Sequence, residues 1–223
     1  MLALAGGDMD ELQKDAPVGL TWLGHAEQRR YGELSVRRRL EFKAGRWLLR
    51  RLLEREGVVP AGRPLAIDVG GRPVLEGVPD VGLSLSHRCG RVVAAVADCA
   101  VGVDVELVKS RDVMALSQWV CSAPERQYLA RLDAPSALQY FHQLWTIKEA
   151  AYKAGLTRCA PMNFSRIRVA PVAHSPPEAV CWSWANGWVV ACAVAHREGV
   201  AALAPWADPV HESHWAVDFA AIA

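Results

Sequence analysis

Apolar positions along this chain follow two rhythms. Leu40, Ala44, Trp47, Leu48 and Leu52 recur at spacings of four, three, one and four, so they share one face of a helix. That pattern predicts a helix from about Ser35 to near Gly57. A second long helix is expected over Leu138–Lys153, closing near Gly155. Between them, Val113 to Leu132 reads as helix with a break at "CSAPE", where Ser122 can cap a fresh start. Shorter β-rich runs predict strands at "PLAIDV", 82–86, 91–97 and 101–107. "CWSWANGWVVACAVA" predicts a hairpin, with Asn186–Gly187 as a two-residue turn. Residues 1–32 are mixed, with "PVGLTWLG" the one strand-like run. The tail from Pro205 shows no clear period and is expected to pack over the surface.

Each half runs helix first, then strands, and "GRVVAAVAD" (90–98) echoes "GWVVACAVAH" (187–196). The expectation is an α+β fold of two similar lobes, 1–108 and 109–223, each a small antiparallel sheet packed with helices. No Gly/Ser-rich or Pro-rich linker separates them.

Composition narrows the function. The 223 residues are 52% hydrophobic, enough for a sizeable core. A net charge of +1 supplies no global field toward nucleic acid or an acidic membrane. The six cysteines include no pair at C-x-x-C spacing, which argues against a zinc ribbon or redox motif. The N-terminus lacks the basic start of a signal peptide, and runs such as "VVACAVA" are too short to span a bilayer. A cytoplasmic protein with free thiols, binding neither nucleic acid nor membrane, is expected.

Four segments carry candidate chemistry. In "VGVDVELV" (101–108), Asp104 and Glu106 are two apart on a strand and so share a face. Two carboxylates side by side repel unless something offsets them, and a Mg²⁺–phosphate site needs such hard oxygen ligands. A solvated edge strand is the plain alternative. In "WTIKEAAYK" (145–153), Glu149 and Lys153 share a helix face. They are either an exposed ion pair or a third carboxylate beside a phosphate-binding ammonium. In "LSLSHRCG" (83–90), Ser86 and His87 end a strand before a turn, where they could bind phosphate or sit idle at the surface. Arg39, Lys43, Arg46 and Arg50 form a basic stripe on the first long helix, either a solvated face or an anion site.

In this order and spacing the motifs resemble the 4'-phosphopantetheinyl transferases, of the larger, monomeric, two-lobed class. "GRP" (71–73) resembles that family's G-K/R-P element and "LSLSH" its Asn-x-Ser-His. "VGVDVE" is similar to its G-x-D-x-E, and "WTIKEAAYK" to its W-x-x-K-E-x-x-x-K. Ser84 stands where Asn is frequent, Arg72 where Lys is commoner, and Arg158 where a further lysine is usual. The resemblance implies a pseudo-twofold fold with coenzyme A in the cleft between lobes. It implies Mg²⁺-dependent transfer of the phosphopantetheine arm to a serine of an apo acyl or peptidyl carrier protein, with Mn²⁺ as an alternative ion. Asp104, Glu106 and Glu149 would hold the metal. Lys153 and His87 would meet phosphates, Arg39, Arg46 and Arg72 the 3'-phosphate, and Ser86 the nucleotide end. Glu149 or a metal-bound water would take the serine proton. A protein that binds coenzyme A or a nucleotide without catalysis is the alternative. The carrier is expected near 111–130, where Met114, Leu116, Trp119, Val120 and Tyr128 would form an apolar patch; a buried helix face explains these residues equally well.

Overall fold

The structure, a computed structural model, describes residues 1–58, 64–68, 71–156, 164–173, 177–195 and 205–219. Arg158 lies outside them. The chain is α+β and divides after Val101 into two compact units, the first taking in residues 205–207 and the second the closing strand.

In the first unit, β5 (Arg91–Ala97) is the centre of a three-stranded antiparallel sheet, between β1 (Leu2–Asp8) and β4 (Gly82–Arg88). From Val92 to Ala97 its side chains are fully buried, which explains a run of Val and Ala without alternation. Helices α1 (Met9–Asp15), α2 (His25–Glu33) and α3 (Val36–Arg55) accompany it, and β2 (Leu65–Ile67) pairs with β3 (Pro73–Leu75). Leu48, Leu49, Leu52 and Leu53 of α3 pack with Val92, Ala94 and Val96 of β5. The helix ends where Gly57 takes φ of +66°, as expected for a glycine stop.

The N-terminal segment differs from the expectation. "PVGLTWLG" is bends and turns, whereas residues 2–8 form a strand paired over seven positions with β5. Asp8 ends that strand and caps α1, its carboxylate accepting from the Asp10 and Glu11 amides.

The second unit holds a five-stranded sheet in the order β6 (Val101–Leu107), β9 (Trp188–Val194), β8 (Ala179–Ser183), β10 (His211–Phe219), β7 (Ile167–Pro171). Helices α4 (Val113–Val120), α5 (Ala123–Leu129) and α6 (Ala134–Lys153) accompany it, with a short 3-10 turn at Phe164–Arg166. Ser122 does cap α5, and a capping box with Glu125 completes the turn. Phe141, Leu144, Ile147, Ala150 and Ala151 of α6 pack with Cys181, Val189 and Ala191 from the sheet.

Two expectations are corrected here. The tail is not a surface wrap: β10 lies inside the sheet, antiparallel to β7 and to β8. The hairpin turn holds three residues, 185–187, closed by Gly187 N–H donating to Trp184 O, with Gly187 at φ +83°. The left-handed conformation falls on Gly187 alone, as a type I turn with a following bulge requires. No helix among the described residues is long and apolar enough to cross a membrane.

Candidate functional site

Strand β6 brings the two acids into the second unit, with α6. Val103 and Val105 face the interior at 0% and 1% exposure, so alternation turns Gly102, Asp104 and Glu106 the other way. Asp104 is itself buried, and its Oδ2 and Glu106 Oε2 are shut off from solvent. Gly102 shows how strand and helix come so close. A Cβ built there would sit 1.9 Å from Ala150 O and 2.5 Å from Ala154 N, so α6 backbone occupies that space. The Gly of "VGVDVE" therefore sets how closely the acid-bearing strand approaches the helix that carries Glu149 and Lys153. Gly102→Ala is expected to cost about 2–3 kcal/mol, measured by urea unfolding, because backbone rather than a side chain must yield.

Lys153 reaches across to β6. Its ammonium donates to Asp104 Oδ1 at 2.7 Å and to Val103 O at 3.2 Å. Glu149, one turn earlier and half-buried, has its pKa raised above the usual glutamate range, first by burial and then by the Asp104 charge. Lys153 pulls it back down, and Glu106 adds to the rise. The three predicted acids and the lysine thus feel one another within one unit. They do not form a closed ligand set: among the described residues no group of three or more His, Cys, Asp or Glu side chains is placed to hold a metal ion.

A hard divalent cation nonetheless suits this donor chemistry. All three donors are carboxylates, they repel one another, and a cationic group already stands against Asp104. The raised pKa has a thermodynamic sign. The folded state holds the Glu149 proton more tightly than the unfolded state, so this group's stabilisation is lost as pH rises from 4.5 through the raised value. Glu149→Gln removes the repulsion and is expected to raise the melting temperature at neutral pH by about 2 °C, read by calorimetry without divalent ions.

The predicted residues of the first unit stand differently. Arg46 is buried, its Nε 3.4 Å from Glu27 Oε1, and its pKa is lowered to about 10, chiefly by burial. Arg50 pairs with the same carboxylate at 2.5 Å. Glu27 has no exposure, so this arginine pair offsets the cost of burying its carboxylate. Arg39 donates to Tyr31 O and Gly32 O at 3.0 and 2.8 Å, serving the last carbonyls of α2. The basic stripe therefore splits, with Arg39, Arg46 and Arg50 committed to the unit's own fold. Arg72 is exposed, and its amide donates to Asp68 Oδ1 at 2.8 Å. His87 lies half-exposed at the end of β4, with Nδ1 3.8 Å from Glu41 Oε2, and Ser86 beside it is buried.

Two residues escaped the sequence reading. Lys148 is fully buried, its ammonium donating to Glu125 Oε2 at 2.5 Å, Val120 O at 2.8 Å and Phe164 O at 3.3 Å. Glu125 also accepts from the Ser122 amide at 2.7 Å and the Val169 amide at 3.2 Å. The signal was present. Lys148 falls on the stripe of Phe141, Leu144 and Ala151, and Ser122-x-x-Glu125 is a capping-box pattern. The predicted apolar patch divides as well. Met114, Trp119 and Tyr128 are exposed, Val120 is core, and Leu116 is half-buried against the core. Trp145 packs on Phe141 with centroids 5.7 Å apart, and the Arg111 guanidinium lies 5.6 Å over its ring.

Residues 100–204 match the family described as the 4'-phosphopantetheinyl transferase superfamily, a span that contains β6, α6 and all four residues of the acid–lysine cluster. This matched segment is just under half of the chain, so the likeness is to that part of it. Named relatives agree. The chain is 40% identical over 83 residues to 4'-phosphopantetheinyl transferase psf-1 of Bacillus pumilus, covering 37% of this chain and 35% of that one. It is 27% identical over 119 residues to a 4'-phosphopantetheinyl transferase of Bacillus subtilis, covering 53% of each. It is 24% identical over 138 residues to 4'-phosphopantetheinyl transferase Sfp of Bacillus subtilis strain 168, covering 57% of this chain and 61% of that one. The matches thus span from about a third to three-fifths of those relatives' lengths. The matched segment includes Gly102, Asp104 and Glu106 of β6 and Lys148, Glu149 and Lys153 of α6.

Proposed function

We propose that this chain transfers the 4'-phosphopantetheine arm of coenzyme A to a serine of an apo acyl or peptidyl carrier protein, releasing adenosine 3',5'-bisphosphate. It would act as a cytoplasmic monomer. The observation that carries the reading is the meeting of Asp104 with Lys153 beside Glu149, within the segment that matches the superfamily.

Asp104, Glu106 and Glu149 would hold Mg²⁺, or Mn²⁺ in its place, and such an ion supplies positive charge against a diphosphate and its departing half. The chain's own residues account for the rest. The serine oxygen forms a bond to the phosphorus on the arm side of the diphosphate, and the bond from that phosphorus to the bridging oxygen breaks. Lys153, on a flexible stem, turns its ammonium to a diphosphate oxygen and offsets charge there. Glu149, directly or through a water, takes the serine proton. His87, Ser86 and Arg72 are assigned to phosphates and the nucleotide end of coenzyme A. Arg39 and Arg46, whose guanidinium groups also serve the α2 carbonyls and Glu27, are assigned to the 3'-phosphate.

The test is direct. Incubation with coenzyme A, Mg²⁺ and apo carriers of both the acyl and the peptidyl kind should add one phosphopantetheine unit to a carrier, seen by intact mass. If every carrier keeps its mass while coenzyme A still binds, the chain is a coenzyme A-binding protein without transfer and the proposal fails.

A further inference from the structure

We propose that Lys153 is a placeholder cation: it occupies Asp104 until a divalent ion and a diphosphate exchange places with it. The inference rests on the acidic site proposed above and adds how that site is regulated.

Asp104 is a buried carboxylate at 6% exposure, so leaving its charge unmatched would be costly. The Lys153 ammonium meets that cost from 2.7 Å, and it donates a second hydrogen bond to Val103 O. A divalent ion that draws on Asp104 needs the same oxygen region and repels the ammonium. The two cations therefore compete. Lys153 can withdraw without moving α6, because its side chain is half-exposed and carries four methylenes. A withdrawn ammonium needs an anion, and a diphosphate beside the acids provides one. Divalent ion and diphosphate each favour the arrangement the other requires, so each tightens the binding of the other by the same factor.

The experiment is calorimetric titration of Mn²⁺ into the full chain, with no phosphate present. Lys153→Met is expected to bind Mn²⁺ about tenfold more tightly than wild type, because its competitor is gone. Lys153→Arg keeps a cation against Asp104 and should show no gain. Lys109→Met, which removes a nearby lysine charge beyond the strand, should stay within about twofold of wild type, separating a local exchange from a general field effect. A second readout needs no variant: adding Mg²⁺ to wild type should speed acetylation of Lys153, located by peptide mass, and pyrophosphate added with Mg²⁺ should slow it again. Equal or weaker Mn²⁺ binding by folded Lys153→Met overturns the placeholder. If Asp104→Asn still abolishes binding in that case, the acidic site itself stands. Mn²⁺ binding that Asp104→Asn leaves unchanged overturns both.

Discussion

Asp104→Asn is expected to lower transfer to a carrier on the order of a thousandfold while the fold survives. The change keeps shape and removes one charge. It takes away a carboxylate that shares a field with Glu149, and it leaves the Lys153 ammonium facing a neutral amide. The loss should appear in kcat/KM for coenzyme A at fixed carrier concentration, with the Mg²⁺ requirement moved to higher concentration. Circular dichroism should match wild type, because the Val103 and Val105 face of β6 is untouched. Transfer within about tenfold of wild type would remove Asp104 from the chemistry, since a lone lost electrostatic contact at a reacting phosphate costs more than that.

Lys148→Met carries the largest expected cost in stability, about 3–5 kcal/mol. The buried ammonium serves three acceptors from three elements, the end of α4, the start of α5 and the 3-10 turn. Removing it strands Glu125 with a charge in the interior. Burial already lowers the Lys148 pKa, against the Glu125 charge that raises it, so the pair is poised between desolvation and attraction. A Glu125→Gln companion should recover part of the loss, because the stranded charge is then gone; its one amide oxygen can still accept from either the Ser122 or the Val169 amide, though not from both. Urea midpoints for the two single variants and the double variant measure the coupling. A loss under about 1 kcal/mol for Lys148→Met would show that the junction does not hold these elements together.

Much of this fold could be read in the sequence, for identifiable reasons. Helices α3 and α6 are long and carry apolar stripes, and β4, β5 and β6 are bounded by turns. Strand β1 escaped because "LALAGGD" has little alternation, and its identity as a strand comes from seven pairings with β5. Strand β10 carried a weak alternation at Trp215, Val217 and Phe219, hidden by the histidines and acids between them. Its place inside the sheet depends on partners more than twenty residues away in the chain.

The candidate acids and lysine stand out in the sequence by the same measure. Residue type and spacing picked out Asp104, Glu106, Glu149 and Lys153, because alternation and the helical repeat each fix a face. The stripe of Arg39, Arg46 and Arg50 could not be divided in the same way. Which face of α3 is interior depends on Glu27, a buried carboxylate on another helix, and no local period reveals it. The reason for Gly102 was equally hidden, since it lies in the distance between β6 and the α6 backbone.

The central claim is that Asp104, Glu106 and Glu149 share one divalent ion. Anomalous scattering from a crystal grown with Mn²⁺ and coenzyme A tests it most directly. The account predicts a single strong peak within about 2–2.5 Å of an oxygen from each of the three side chains, with Lys153 turned from Asp104 to the diphosphate. A peak bound elsewhere, or one on β6 that Glu149 does not reach directly or through a water, would contradict it.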